Sequence, residues 1–412
     1  MSDINAQRLL ADLSSLAAIG GLPDGGVDRL AWSDQDLAGR RWFAERMRAA
    51  GFEARLDAAL NVFGHVPGTT GPFLLTGSHL DSVPNGGRLD GAYGAVAGLE
   101  VLRTLAESGD PLAEQVEVVG FADEEGVRFE FGLIGSLALF GELDIERLRD
   151  GLDWQGVPIR QVLATAGRDV DRMLEVQQHR HSIKGFIELH IEQGPRMEVD
   201  AIDLAVVTGI VGVHRQRIEI VGTQNHAGTT PFRLRHDAGR AAARAAAELR
   251  ELVQGADAEA VGNIGSMRFD PGSVNVIPGR ARFTLEVRHL DERVVRQAVG
   301  AFKTRLEGIC AEEGCRPVVD LLSWLPPAPM NATVIEALEQ ACTELGRRPA
   351  RLPSGAGHDA AVLSRHVPSG MLFVPSVGGI SHSPRETTSD EHLVLGAQAL
   401  LRGVRAAAAR IK

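Results

Sequence analysis

A chain of 412 residues, 44% of them apolar, is too long for one hydrophobic core and can fill two, so we expect two domains. Its 54 acidic and 43 basic residues give a formal net charge of −11, which disfavours nucleic acid as a partner. No stretch approaches the roughly 18 apolar residues of a membrane span, and the amino terminus lacks a signal-peptide pattern, so we predict a cytoplasmic protein with no membrane partner.

The first part of the chain alternates between apolar runs and helix-like stretches. The runs FLLTG (73–77), VEVVGFA (116–122) and FIELHI (186–191) have the length of buried strands, and AVAGLEVLRTLAESG (95–109) has the pattern of a helix. Alternation of this kind is typical of a sheet flanked by helices. We therefore predict an α/β fold for residues 1–208.

The pattern changes at about residue 209. Strands with alternating polar residues follow, then an alanine- and arginine-rich helix and further strands. After a second helix at about 291–314, the adjacent prolines of LLSWLPPAP (321–329) indicate a linker, and helix and strand alternate again beyond it. The sequence thus predicts a small α+β domain, residues 209–324, inserted between the two parts of a larger domain, residues 1–208 and 325–412.

The stretch GSHLDSVPNGGRLDGAYG (77–94) places acidic and imidazole groups directly after the run FLLTG. Open α/β sheets place their sites at the carboxyl ends of strands, which is where this stretch begins. On extended backbone His79 and Asp81 face the same side, so Asp81 can orient or polarise the imidazole of His79. Asp90 lies in a glycine-flanked turn, where its carboxylate can bind one metal ion or bridge two. The stretch therefore indicates a metal site.

A second acidic cluster, DEEG, begins at Asp123, directly after the run VEVVGFA. Because neighbours on extended backbone point to opposite sides, one of Glu124 and Glu125 can bind metal while the other acts as general base. Further imidazoles occur at His190, inside FIELHI, and at His382, in GGISHSPRE. Imidazole and carboxylate ligands without cysteine suit zinc, manganese, cobalt or nickel.

Each of these groups alone has a simpler interpretation. His79 could be a solvated loop residue, DEEG could be the exposed start of a helix, and His190 could be a core histidine with a backbone partner. The combination favours a metal site, because every group follows an apolar strand or lies in a glycine-rich turn.

Six motifs taken together are specific, although HxD or EE alone would mean little. In chain order they are GSHLDSVPNGGRLDGAYG, FADEEGVRF, ELHIEQGP, HAGTTPF, SGAGHDA and GGISHSPRE. They resemble those of the dinuclear-metal amidohydrolases, which include N-carbamoyl-L-amino-acid hydrolases, β-ureidopropionases and allantoate amidohydrolases. The resemblance implies a metallopeptidase-like catalytic domain, with a mixed central sheet flanked by helices, and an inserted domain that acts as lid and as the interface of a homodimer.

The resemblance also implies a role for each residue of the metal centre. It makes Asp90 the bridge between two divalent ions, which would be zinc or else manganese, cobalt or nickel. It makes Glu124 the general base and Asp81 the partner of His79. The terminal ligands that it implies are His79, Glu125, His190 and His382.

Substrate contacts are implied as well. His226, Asn275 and Arg288, all in the inserted domain, match substrate-binding residues, and some would reach the active site of the neighbouring subunit. Gln193 matches a position that contacts the carbamoyl end of the substrate, and Gly357 lies in a glycine-rich loop beside the site. An arginine with an amide and an imidazole suits the carboxylate that the substrates share. Without the resemblance, Arg288 could be a solvated charge and His226 could cap a helix or turn.

The reaction implied is hydrolysis of a carbamoyl or ureido C–N bond in a small carboxylate substrate. Two metal ions about 3.5 to 4 Å apart would lower the pKa of a shared water, and Glu124 would carry its proton to the leaving nitrogen. A metal and His226 would stabilise the oxyanion. An N-carbamoyl amino acid would give amino acid, carbon dioxide and ammonia. Allantoate hydrolysis, a metallopeptidase on the same scaffold, and a metal-binding protein without catalysis are the alternatives.

Two positions depart from the pattern that we expect of this family. Leu60 in ALNVFG stands where a glycine is expected before the asparagine, and His214 in GIVGVHRQR stands where a smaller or uncharged residue is usual. Both bear on the choice of substrate and leave the metal centre unaffected.

Overall fold

The computed structural model describes residues 3–129 and 131–411. They form two compact units: unit 1 comprises the chain up to Thr208 and from Pro329 onward, and unit 2 is Gly209–Ala328. Among these residues, no helix combines the length and apolar character that a membrane crossing requires.

Helices and strands both occur in the two units. The helices are α1 (Ala6–Ala17), α2 (Asp34–Ala49), α3 (Ala92–Glu107), α4 (Ile134–Phe140), α5 (Ile145–Arg149), α6 (Ile159–Thr165), α7 (Arg196–Val199), α8 (Ala238–Gln254), α9 (Glu292–Glu312), α10 (Ala332–Glu344), α11 (Asp359–Leu363) and α12 (Asp390–Ala408). Short 3₁₀ segments are Pro111–Gln115, Val170–Ser182, Phe232–Leu234 and Val377–Gly379. The strands are β1 (Glu53–Leu56), β2 (Val62–His65), β3 (Phe73–His79), β4 (Val116–Phe121), β5 (Ile183–Ile191), β6 (Ala205–Ile210), β7 (Gly212–Val221), β8 (Asn225–His226), β9 (Val261–Asn263), β10 (Met267–Asp270), β11 (Val276–Ile277), β12 (Arg280–His289), β13 (Arg316–Leu325), β14 (Ala328–Pro329), β15 (Ala350–Ser354) and β16 (Ser369–Val374).

Unit 1 is built on a mixed sheet with the strand order β1-β2-β4-β3-β5-β16-β6-β14, and β15 also pairs with β6. Its centre is parallel: β3 pairs with β4 and β5, and β5 pairs with β16, all in the same direction. Every residue of β3, β4 and β16 is buried, which is typical of central parallel strands covered on both faces. The predicted α/β fold with a mixed central sheet is confirmed.

Helices cover this sheet through their apolar residues. Helix α3 is buried from Ala92 to Leu105 and packs on β3, β4 and β5, while α12 packs on α10, α3 and β16. Helix α2 packs on β1 and β2, and α11 packs on β16 and β5. The apolar run that starts α3 therefore places the end of the preceding loop, with Asp90, at the carboxyl ends of the central strands.

Unit 2 has an antiparallel sheet in the order β10-β12-β7-β13, to which β9 adds by pairing with β12. Helices α8 and α9 pack on this sheet and on each other. Their buried residues recur every three or four positions, as expected of helices that each bury one face. The buried residues of this core are Ala238, Ala241, Ala242, Ala245, Leu249 and Val253 on α8, and Val295, Ala298, Phe302, Leu306, Ile309 and Cys310 on α9.

The segment that the sequence predicted as a linker is partly a strand. Strand β13 pairs with β7 up to the contact of Leu325 with Val213, and unit 2 ends at Ala328. The predicted boundary at residue 324 was therefore too early, because the adjacent prolines follow the strand and do not interrupt it.

Candidate metal centre

The carboxyl ends of the parallel strands bring the predicted ligands together. His79 is the last residue of β3, His190 lies one residue before the end of β5, and Glu125 follows β4. His382 lies on the loop after β16. Parallel neighbours end at the same edge of a sheet, so side chains far apart in the sequence meet there.

These side chains form two groups that share one carboxylate. In the first group, His79, Asp90 and His190, the ligand atoms all lie within 4.8 Å of one another. In the second group, Asp90, Glu125 and His382, the ligand atoms lie within the same distance of one another. The five residues predicted as metal ligands therefore converge in the structure.

Asp90 presents a different oxygen to each group. Its Oδ1 atom lies 3.4 Å from Nε2 of His79 and 3.2 Å from Nε2 of His190. Its Oδ2 atom lies 3.1 Å from Nε2 of His382, which is 3.6 Å from Oε2 of Glu125. A carboxylate with this placement can bridge two cations.

The loop that carries Asp90 needs glycine at the next position. Gly91 has a φ of +63°, and a Cβ atom there would lie 2.4 Å from the ring of His79. Only glycine allows both the left-handed conformation and this close approach of backbone to the imidazole.

Two of the imidazoles are oriented by backbone carbonyls. Nδ1 of His79 lies 3.0 Å from the carbonyl oxygen of Asp81, and Nδ1 of His190 lies 2.9 Å from the carbonyl oxygen of Ile191. A neutral histidine that donates from Nδ1 has its lone pair on Nε2. In both residues, Nε2 is the atom that faces Asp90 and that would bind a cation, although Nε2 of His190 also accepts the backbone amide of Gly91 at 3.2 Å.

Asp81 supports the site in a different way from the one predicted. Its carboxylate lies 3.9 Å from Nδ1 of His79, beyond hydrogen-bond distance, and its carbonyl takes that place. The carboxylate instead accepts the backbone amides of Glu124 and Glu125, at 3.3 and 3.2 Å. Asp81 therefore holds the acidic loop in position as well as the imidazole.

The acidic loop is bent and not extended. Asp123 has a φ of +49°, so the strand-like alternation predicted for the two glutamates is wrong as a description of the backbone. Their side chains still separate: Oε2 of Glu124 lies 3.8 Å from Nε2 of His79, and Glu125 belongs to the second group. Oε1 of Glu125 is buried and has no hydrogen-bond partner among the described residues.

Burial and crowding shift the pKa values of these groups. Burial opposes ionisation of Asp90, but hydrogen bonds from His190, His382 and His79 outweigh it and hold its pKa well below the usual range. Burial, reinforced by the charge of Asp90, raises the pKa of Glu125 to about 7. The bond to Asp90 raises the pKa of His382 to about 9. A divalent cation would favour the ionised carboxylates and the neutral imidazoles together.

Gln193 lies within the second group. Its Nε2 atom donates to Oδ2 of Asp90 at 2.8 Å and lies 3.4 Å from Oγ of Ser381. Its buried Oε1 atom has no partner among the described residues. The side chain predicted to contact the substrate thus also touches the shared carboxylate.

The glycine-rich loop predicted to flank the site lies against Glu124. A Cβ atom on Gly357 would be 4.0 Å from Oε1 of Glu124. His358, next in the chain, forms a further group with Glu188 and His190, but it is engaged by Oγ of Ser354 at 2.8 Å. The ring of His358 also packs against that of His190, with the ring centroids 4.6 Å apart.

The residues predicted on the inserted domain all lie on unit 2. Val276 of β11 pairs with His226 of β8, and the amide of Ala227 donates to the carbonyl oxygen of Asn275, so His226 and Asn275 are neighbours. Nδ1 of His226 accepts the amides of Gly228 and Thr229, at 3.0 and 3.3 Å. The imidazole therefore caps a turn, as one interpretation of the sequence allowed, and its Nε2 atom carries the proton when the ring is neutral.

Arg288 forms an ion pair within unit 2. Its Nε atom donates to Oε1 of Glu286 at 2.7 Å, and Glu286 also accepts from Nε of Arg215 at 2.6 Å. Glu286 lies between the two arginines and fixes the direction of both.

A model of peptidase family M20/M25/M40 matches residues 75–406. The chain belongs to this family. It is 39% identical over 399 residues, 96% of its own length and 97% of the relative's, to N-carbamoyl-L-amino acid amidohydrolase from Geobacillus stearothermophilus. It is 36% identical over 387 residues, 93% of each chain, to allantoate amidohydrolase from Bacillus subtilis (strain 168).

A solved structure extends the likeness to the whole fold. A hydantoinase/carbamoylase family amidase from Burkholderia ambifaria matches with a TM-score of 0.88 and 33% identity, covering 99% of this chain and 98% of that one. The suspected resemblance to carbamoyl-amino-acid and allantoate amidohydrolases is confirmed, and this M20/M25/M40 family member is an amidohydrolase.

The residues of this amidohydrolase fit divalent metal ions. The two groups offer imidazole nitrogens and carboxylate oxygens without cysteine, a donor set that suits zinc, manganese, cobalt or nickel. The buried Oε1 atoms of Glu125 and Gln193 have no partner among the described residues, and each is an acceptor that an electropositive group could satisfy.

Sequence reasoning missed two buried ionisable side chains near Asp81. The guanidinium of Arg40 is buried, with Nη2 3.6 Å from Oδ1 of Asp81, and it donates to the carbonyl oxygens of Leu60 and Phe121. Asp123 is buried with both carboxylate oxygens unpartnered among the described residues, and burial raises its pKa well above the usual range. Asp123 could have been found from its place in DEEG, whereas Arg40 lies in an ordinary helical pattern.

The two departures from the family pattern have different surroundings. Leu60 is buried and has a φ of +70°, a conformation that favours glycine, which explains why glycine was expected there. His214 lies on β7 of unit 2, with its ring 5.8 Å from that of Trp324, and burial lowers its pKa.

Proposed function

We propose that this amidohydrolase hydrolyses the carbamoyl or ureido C–N bond of an N-carbamoyl-L-amino acid or a β-ureido acid. One water molecule is consumed, and the products are the amino acid, carbon dioxide and ammonia. The observation that carries the proposal is the placement of Asp90, whose two oxygens face two separate ligand groups beside Glu124. The relative with 39% identity bears the name of an enzyme of this class.

Two divalent cations, zinc or else manganese, cobalt or nickel, would be held by the two groups. His79 and His190 would serve one cation, Glu125 and His382 the other, and Asp90 both. Such cations polarise the scissile carbonyl and make water more acidic. Asp81 and the backbone carbonyls keep the ligands in place before any cation arrives, so little reorganisation accompanies binding.

Glu124 would move the proton. Burial raises its pKa well above the usual range, opposed by His79 and reinforced by the charge of Glu125. A carboxylate whose pKa is raised can take a proton from water and keep it long enough to deliver it to the leaving nitrogen. The side chain of Glu124 is 9% exposed, so the transfer would be shielded from bulk water.

Unit 2 would supply the contacts to the substrate. With Nδ1 engaged by backbone amides, His226 can donate from Nε2 to the developing oxyanion. Arg288 and Asn275 would bind the carboxylate that all the proposed substrates share. Gln193 would face the carbamoyl end through its unpartnered Oε1 atom. We also propose that unit 2 forms the interface of a homodimer, and location in the cytoplasm stays a prediction.

Allantoate is the second candidate substrate. The allantoate amidohydrolase relative is 36% identical, against 39% for the carbamoyl-amino-acid amidohydrolase, so overall identity does not separate the two. Cleavage of a peptide is the third alternative. It would not require a contact between Gln193 and a carbamoyl group, and it would release no ammonia.

An ammonia-release assay tests the proposal. The protein is freed of metal, reloaded with zinc, manganese, cobalt or nickel, and offered N-carbamoyl-L-α-amino acids, their D-isomers, N-carbamoyl-β-alanine, allantoate and dipeptides. We expect ammonia from the N-carbamoyl-L-amino acids or N-carbamoyl-β-alanine. Peptide cleavage releases no ammonia, so turnover of the dipeptides is followed by the free amino acids formed. Turnover of dipeptides alone, or of no compound under any metal, would overturn the proposal.

A further inference from the structure

Glu386 is a buried carboxylate that joins two loops of the candidate metal centre. Only 3% of the surface of Glu386 is exposed. Oε1 accepts the backbone amides of Leu89 and Asp90, at 3.0 and 3.1 Å, and Oε2 accepts the hydroxyl of Ser381 at 2.7 Å. Ser381 directly precedes His382. The side chain of Glu386 thus joins two loops that are distant in the sequence. Asp90 and Glu386 are 296 positions apart.

His382 needs such support more than the other imidazoles do. His79 and His190 lie on strands whose ladders fix their backbone. His382 lies on a loop, with a φ of +54° and a side chain that is 51% exposed. Its distance to Asp90 therefore depends on how the loop is tied to the rest of unit 1.

We propose that Glu386 is a positioning residue that sets the spacing of Asp90 and His382 and so determines the metal affinity of the second group. This inference rests on the proposed function, in which that group holds a cation. Both oxygens of Glu386 are occupied by backbone and hydroxyl donors, so it acts through its neighbours and not as a ligand.

Substitution of Gly87 is a second, independent way to displace the same carboxylate. A Cβ atom on Gly87 would lie 1.9 Å from Oε1 and 2.0 Å from Cδ of Glu386. The φ of Gly87 is not in the left-handed region, so alanine there avoids the strain that a positive φ would impose. Gly87→Ala should therefore displace the carboxylate while leaving Glu386 in the chain.

Titration of metal-free protein with Co²⁺, followed by calorimetry and by visible absorption, tests this inference without substrate. The step weakened in His382→Ala identifies the second group. We expect Glu386→Ala and Gly87→Ala to weaken that same step about 10- to 100-fold, the usual effect of removing support behind a ligand. Glu386→Gln should retain most of the affinity, because its amide can accept the two backbone amides and donate to Ser381.

Glu117→Ala is the matched control. Glu117 is also a fully buried carboxylate of unit 1, but its oxygens bind His65 and His179, away from the metal ligands. Its Co²⁺ titration should match that of the parent. Thermal unfolding of each metal-free variant reports folding, and if Glu386→Ala fails to fold, Gly87→Ala and Glu386→Gln carry the test.

Parent-like Co²⁺ affinity in Glu386→Ala and Gly87→Ala would overturn the inference, as would an equal loss in Glu117→Ala. The effect of Glu386→Ala should also be smaller in a chain that already carries His382→Ala, because the positioned ligand is then absent. A chain that shows the expected Co²⁺ pattern but releases no ammonia from any ureido compound would refute the proposed function and leave this inference standing.

Discussion

Nε2 of His382 lies 3.1 Å from Oδ2 of Asp90, while the other oxygen of Asp90 faces His79 and His190. The carboxylate thus belongs to both groups, whereas each imidazole belongs to one. This asymmetry predicts which substitutions remove one metal ion and which affect both.

Asp90→Ala should weaken both metal-binding steps, and His382→Ala should weaken only one. Loss of a bridging carboxylate removes an anionic ligand from each group, while loss of His382 leaves the first group complete. Metal content after dialysis, measured by atomic emission, checks the expectation. Retention of two ions per chain by Asp90→Ala would show that Asp90 is not shared.

Glu124→Gln should lower kcat by about 10²- to 10⁴-fold, the usual contribution of a general base. The amide is close in shape to the carboxylate but cannot accept a proton, so metal content should match that of the parent. Steady-state ammonia release and metal analysis of the same preparation provide the two readings. Undiminished turnover would remove Glu124 as the base.

Arg288→Ala should raise KM for carboxylate substrates by about 10- to 100-fold, corresponding to a charged hydrogen bond of about 1.5–3 kcal/mol. Arg215→Ala is the matched control, since Arg215 pairs with the same Glu286 and has no predicted contact with substrate. Equal effects of the two substitutions would indicate that Glu286 had been perturbed and that the carboxylate contact does not exist.

Metal affinity of the second group should increase with pH. In the metal-free protein His382 is protonated below a pKa of about 9 and Glu125 below about 7, and a cation must displace these protons. Affinity should therefore fall as the pH drops through 9 and fall more steeply below 7, by about tenfold per pH unit for each proton displaced. Calorimetry in buffers of different ionisation enthalpy counts the protons released. An affinity independent of pH would contradict this account.

The convergence of the ligands could be expected from the sequence because it follows from topology. His79 ends a buried run, His190 lies one residue before the end of another and Glu125 follows a third, and ends of parallel strands share an edge. The α/β fold and the family could likewise be recognised from local patterns and motif order. The roles of the individual residues stay predictions until they are measured.

Other features depend on backbone detail and long-range contacts that no local pattern contains. The bend at Asp123, with its positive φ, separates the two glutamates by a route different from strand alternation. The carboxylate of Asp81 accepts backbone amides and not the imidazole of His79. The reason is that the carbonyl oxygen of Asp81 lies nearer to that imidazole and accepts its hydrogen bond. Glu386 was visible within GGISHSPRE, but its link to Asp90 spans 296 positions.

Anomalous diffraction from crystals of the zinc-loaded protein, recorded on both sides of the zinc absorption edge, tests the central claim most directly. We expect two peaks in unit 1, one bounded by His79, Asp90 and His190 and the other by Asp90, Glu125 and His382. A single peak, or peaks away from Asp90, would contradict a centre in which one carboxylate serves two cations.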